Sequence, residues 1–139
     1  MNDLFGAVRS WLAAQSEVTD LVGNRIFVNR IPRDVIEQQD TFRPEKMLVI
    51  GMAGGAGRAD LQALDQPNLN ILCYGETDLE ADKLRRVVWD KFRLLSRVRE
   101  SDVLIHHINP TGGPVFLRDP DIVWSAVTQQ FSMLAATEA

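Results

Sequence analysis

Residues 77–95, "TDLEADKLRRVVWDKFRLL", constrain the fold more than any other stretch of the chain. Thr77 and Glu80 have the spacing of a capping box, in which the two residues satisfy each other's free backbone donors at a helix start. Asp78 and Glu80 suit the positive end of the helix dipole. Ala81, Leu84, Val88, Lys91, Phe92 and Leu95 trace one face, with Val87 alongside. Asp82–Arg86 and Arg86–Asp90 form four-residue charge pairs on the other side, each worth roughly 0.2–0.5 kcal/mol. One long amphipathic helix therefore sits in mid-chain and needs an apolar surface to cover.

The flanking segments supply that surface. Residues 3–15 repeat apolar positions at helical spacing (Leu4, Val8, Trp11, Leu12), capped by Asn2 or Asp3, and 17–22 add a second helical turn ended by Gly23. Arg25–Ile31 alternates, with Ile26, Val28 and Ile31 inward, and Pro32 ends it. Residues 33–44, "RDVIEQQDTFRP", have no clear period and read as a loop with room for one helical turn. Lys46–Gly51 is a second strand, 52–66 a long glycine- and alanine-rich connection, and Pro67–Tyr74 a third strand. In that strand Leu69, Ile71 and Cys73 face one way, Leu72 and Tyr74 the other. After the helix come strands at Val103–Ile108, Val115–Arg118 and Ile122–Leu134, separated by turns at 110–114 and 118–121, with a frayed tail at 135–139. The order predicts a single α+β domain over 1–139: a mainly antiparallel sheet of about five to six strands, with the N-terminal helix and the long central helix packed on it.

A chain of 139 residues buries enough surface for a core without staples. Cys73 is the only cysteine, so an intrachain disulfide and a cysteine-based zinc site are excluded. The net charge of −4 argues against whole-protein attraction to nucleic acid or to an anionic membrane. Asp3 and Arg9 disrupt any signal-peptide pattern, and no run approaches the roughly 18 apolar residues of a membrane span.

Strand-then-glycine at 46–57 invites a nucleotide reading, because many phosphate-binding loops begin that way. A dinucleotide fingerprint needs G-x-G-x-x-G running straight into a helix, and a Walker loop ends in Gly-Lys-Ser/Thr. Here Gly51, Gly54, Gly55 and Gly57 have the wrong spacing, and Arg58-Ala-Asp60 stands where lysine and hydroxyl belong. The competing reading is a mobile hairpin connection. His106 and His107 are strand neighbours that point to opposite faces and cannot share one metal. No serine or cysteine carries a nucleophile signature, so no catalytic, cofactor or metal residue is assigned. Lys83, Arg85, Arg86, Lys91, Arg93, Arg97 and Arg99 crowd one window. That window reads as a solvated helix face, as a protein contact or as a phosphate contact, the last weakened by the interleaved Glu80, Asp82, Asp90 and Glu100.

Three segments together resemble a known family: "VRSWLAAQSEVTDLVGNRIFVNRIPRD", "PNLNILCYGETDLEADKLRRVVWDKF" and "VFLRDPDIVWSAVTQQFSML". Their order and spacing are similar to those of the tail terminator, or tail completion, proteins of long-tailed bacteriophages and related particles. The matching patterns are of helix and strand, not of catalytic groups, and residues 33–66 have no counterpart in them. The resemblance implies a virion protein, made in the host cytoplasm, that forms a six-membered ring on the head-proximal end of the tail tube. Such a ring stops tube growth and then meets the head–tail connector, and DNA passes its lumen without specific binding. Its implied partners are further copies of itself, the tail tube protein and the connector, with no cofactor and no membrane. Long loops on a small domain suggest contacts between subunits. The interface candidates are accordingly Arg33, Phe42 and Arg43 in the first loop, Gly54, Gly55, Gly57, Arg58 and Asp60 in the second, and Arg97 and Arg99 after the helix. Two other readings compete: a small nucleotide- or phosphate-ligand enzyme built on Gly51–Gly57, and a stand-alone adaptor of bacterial origin, a contractile-apparatus part being one example.

Overall fold

The computed structural model describes residues 4–39, 44–58, 64–100, 103–118 and 124–137. The elements along them are α1 (Leu4–Ala13), α2 (Ser16–Val22), β1 (Ile26–Val28), α3 (Arg33–Glu37), β2 (Met47–Arg58), β3 (Leu64–Gly75), α4 (Asp78–Leu94), β4 (Val98–Glu100), β5 (Val103–Pro110), β6 (Val115–Arg118) and β7 (Ser125–Thr137). One sheet holds the seven strands in the order β1-β2-β3-β7-β5-β4, with β6 also on β7. Every pairing is antiparallel except β1–β2. That parallel pair needs a crossover, and the segment carrying α3 provides it. The architecture is the α+β class read from the sequence.

The central helix begins and ends within a residue of the expected limits. Thr77 is extended (φ −130°, ψ 165°), and its hydroxyl accepts the Glu80 N–H at 3.2 Å. The Glu80 carboxylate lies 3.0 Å from Lys46 Nζ and 3.5 Å from Lys83 Nζ, so the glutamate of the expected box ties the helix to the start of β2. Gly75 closes β3 directly beneath the first helical turn. A Cβ there would stand 2.8 Å from the Ala81 nitrogen and 3.2 Å from the Glu80 carbonyl carbon, so any side chain would push strand and helix apart.

α1, α2 and α4 bury one face of the sheet. Val8, Leu12, Val18, Val22, Leu84, Val88 and Phe92 meet Leu48, Ile50, Leu69, Ile71, Cys73, Val127, Phe131 and Met133. Phe92 is the junction: its ring lies 5.7 Å from Trp11, nearly parallel, and 5.0 Å from Phe131, edge on. The opposite face carries a smaller cluster of Ile31, Met47, Val49, Tyr74, Trp124 and Ala126, partly covered by Val35 and Ile36 of α3. Burial on both faces explains why Met47–Ile50 reads as an unbroken apolar run.

The expectations need correction at five places. The connection expected at 52–66 is largely strand: β2 runs on to Arg58, and pairing extends to Arg58↔Leu64. Glycine and alanine carry little strand signal, but a backbone needs only a partner's donors and acceptors to form a ladder. One extra residue between Met52 and Gly55 makes a bulge there. The tail expected to fray from 135 continues β7 to Thr137, with Ala135 fully buried. β4 was not foreseen. The segment at 110–114 does not reverse the chain: β5 and β6 run in one direction along the same side of β7, interrupted where Pro110↔Phe131 gives way to Val115↔Thr128. A further bulge between Ile105 and His107 shifts the alternation, so Ile105 and Ile108 share the helix-covered core, and the opposite-face argument for His106 and His107 loses its premise of unbroken alternation.

Two ion pairs fasten α4 to its neighbours, Lys91–Glu17 at 2.8 Å and Lys46–Glu80 at 3.0 Å. The hydrogen bond from Lys91 holds the Glu17 carboxyl below its ordinary value, and that from Lys46 does the same for Glu80. A carboxyl depressed in the folded state stabilises above its unfolded pKa and loses that contribution as the pH falls through its folded pKa. Both groups are solvated, so the effect is small. The Glu17→Gln/Glu80→Gln variant should melt slightly below wild type at neutral pH and converge with it in acid, below the ordinary 4.5. Thermal melts across the acid range check this; a gap that stays constant in acid rules out the ion pairs as its source.

Candidate functional site

The interface candidates do not form one patch. Arg33 opens α3 and is exposed, 3.7 Å from Glu37. Gly54, Gly55, Gly57 and Arg58 lie in β2, near one end of the sheet order. Arg97 and Arg99 lie at the other end: Arg97 (φ 51°) donates its N–H to the His106 carbonyl at 3.1 Å, and Arg99 pairs with Leu104 within β4. Phe42, Arg43 and Asp60 are outside the described residues. The strand candidates thus divide between the two flanks of the sheet, and Arg33 lies apart from both on α3.

The two flanks are finished differently. β1 covers β2 only over Leu48–Ile50. Its own outer side is capped, since Arg9 Nε donates to the Ile26 carbonyl at 2.7 Å, and Asn29, at φ 72°, turns the chain away after donating to the Ile50 carbonyl. Beyond Ile50, β2 has β3 on one side and no strand on the other among the described residues. At the opposite flank, β6 pairs with β7 on one side only among the described residues, with Val115 57% and Phe116 50% exposed.

Gly51–Gly57 form no phosphate cradle, because they lie within a strand and the next element is another strand, whereas the phosphate sites need a helix N-terminus. Cys73 is fully buried, and burial pushes its thiol pKa well up, away from thiolate chemistry. A cavity of about 270 Å³ opens beside α3, lined by Asn29, Arg30, Ile31, Ile36, Val49, Leu72 and Tyr74.

The arginine window is not one solvated face. Arg86, Arg93, Arg97 and Arg99 are exposed, but Arg85 is buried. Its Nε lies 2.7 Å from Asp82 Oδ1, its Nη1 3.4 Å from Gln129 Oε1, and its guanidinium carbon 5.7 Å from the Trp89 ring centre. Gln129, also buried, donates to the carbonyls of Gly112 at 2.5 Å and Gln130 at 3.1 Å. The network therefore pins the interruption between β5 and β6 to α4. The sequence carried a hint: Arg85 stands four residues after Ala81 and three before Val88, beside the apolar stripe.

No family model and no curated protein matches the chain. Among solved structures, the fold is similar to that of a chain in the virion of a native gene transfer agent (GTA) particle, with a TM-score of 0.61, 13% identity, and coverage of 96% of this chain and 94% of that one. At that identity the likeness is one of fold, and it extends over nearly the whole of both chains.

Proposed function

We infer that this chain is a structural protein of a phage-like virion. It forms a ring on the head-proximal end of the tail tube, ends tube growth and offers the surface for head–tail joining. The observation that carries this reading is the end-to-end likeness of fold to a chain of the gene transfer agent virion. The resemblance of three segments to tail terminator proteins adds the specific position. Interface candidates split between two flanks suit heterologous contacts that close a ring. The net charge of −4 suits a lumen that lets DNA pass without holding it. The enzyme reading loses its site, because Gly51–Gly57 lie in β2.

The test is imaging of particles made without this protein. Tubes of uncontrolled length, unattached to capsids, are expected, and adding back the purified chain should restore joined particles. Normal virions in its absence, or turnover of a nucleotide by purified material, would overturn the reading.

A further inference from the structure

We propose that neighbouring copies join edge to edge, the open side of β2 over Gly51–Arg58 in one copy receiving the free side of β6 (Val115–Arg118) of the next. This rests on the ring reading above and names the contact that closes it.

An exposed strand edge presents unpaired N–H and C=O groups that only another extended chain can satisfy in series. Among the described residues, the open side of β2 spans 51–58, about 26 Å at ~3.3 Å per residue. The competing edge, β1, is three residues long and carries Arg9 on its Ile26 carbonyl. The open stretch of β2, "GMAGGAGR", is mostly glycine and alanine, which admit close approach of another backbone. Gly51 is not forced by lack of room, since a Cβ there would meet only the Asn70 carbonyl, at 3.8 Å. The free edge at the other end of the same sheet carries Val115 and Phe116, larger residues than the glycines and alanines at six of the eight positions of the β2 stretch. Val115 and Phe116 are more exposed than any described strand residue in the buried clusters, and cross-strand packing of an aromatic over glycine stabilises such pairs.

Size complementarity points to a second copy as the occupant. The two edges differ, so their pairing is heterologous, and in a closed ring neither edge is left open. A self-pairing of β6 would instead stop at a dimer.

The test uses the full-length chain, with and without the tail tube protein, followed by native mass spectrometry and negative-stain imaging. Val115→Lys/Phe116→Lys should fold as wild type, because both positions are exposed, and should weaken ring assembly roughly tenfold or more. Leu79→Lys/Leu94→Lys, at exposed positions of α4, should assemble normally. In mixtures of Ala56→Cys and Val115→Cys chains, a short bismaleimide should link unlike copies and should not link either variant alone, with buried Cys73 silent. Rings that form equally well with the β6 variant, or assembled mixtures without unlike cross-links, overturn the edge contact and leave the ring reading intact. Failure of the wild-type chain to form a ring even with tube protein overturns both.

Discussion

Phe92→Ala should cost about 3–5 kcal/mol of stability, the range for removing a buried aromatic ring whose surroundings relax only in part. Phe92 is 1% exposed and joins three elements: it stacks on Trp11 of α1 and meets Phe131 of β7 edge on. Neither neighbour can collapse freely into the space, since Phe131 is held in a ladder with β3 and Trp11 is only 9% exposed. Domains of this size are stable by roughly 5–15 kcal/mol, so a large share of the margin goes, and the melting temperature should fall by about 10–20 °C. Phe92→Leu, which keeps most of the volume, should lose much less. Denaturant titration of the three proteins checks the order. A loss under about 1 kcal/mol for Phe92→Ala would mean that α1 does not bear on α4 through this ring.

What could be read from the sequence follows from where the determinants lie. α4 was legible to within a residue because its start signal, Thr77 with acidic residues after it, is local. The two faces of β3 were legible because its period-two pattern is local too: Leu69, Ile71 and Cys73 lie in one core cluster, Tyr74 and Leu72 in the other. Residues 52–58 were not, because nothing in Gly-Ala repetition says strand; the ladder exists because β3 presents its edge. β4 is three residues in a charged context, too short to show a period. Proline and glycine at 110–114 mark an interruption correctly but do not reveal whether the chain reverses or resumes its course.

The sequence separated the loop candidates from the arginines after the helix, and the fold sets Gly54, Gly55, Gly57 and Arg58 far in the strand order from Arg97 and Arg99. The edge proposed above was not legible: Val115 and Phe116 read as ordinary strand residues, and only the pairing shows that β6 has β7 on one side only among the described residues. Exposure of an apolar strand is a property of topology, not of composition.

The buried polar network carries the second large effect. Asp82→Ala should destabilise by about 3–5 kcal/mol, because it leaves the Arg85 guanidinium buried without its carboxylate. Both side chains are about a tenth exposed, 10% for Asp82 and 8% for Arg85, so water cannot take the lost partner's place without opening the α4–β7 contact. Gln129 offers Arg85 a neutral acceptor at 3.4 Å, a weak replacement for a charged one at 2.7 Å. Arg86, which also reaches Asp82 at 2.9 Å, is 67% exposed and returns to solvent at little cost. Removing both charges reverses the argument: Asp82→Leu/Arg85→Met takes away the desolvation penalty together with the attraction, and should be near neutral or more stable than wild type. The double variant keeps the core and frees Gln129, so any loss of β5–β6 order should appear as faster amide exchange at Thr111, whose N–H donates to the Gln130 carbonyl at 3.1 Å. Urea unfolding of wild type, Asp82→Leu, Arg85→Met and the double variant measures the coupling. If the two single losses simply add in the double variant, Asp82 and Arg85 act independently, and the network does not hold the β5–β6 interruption to α4.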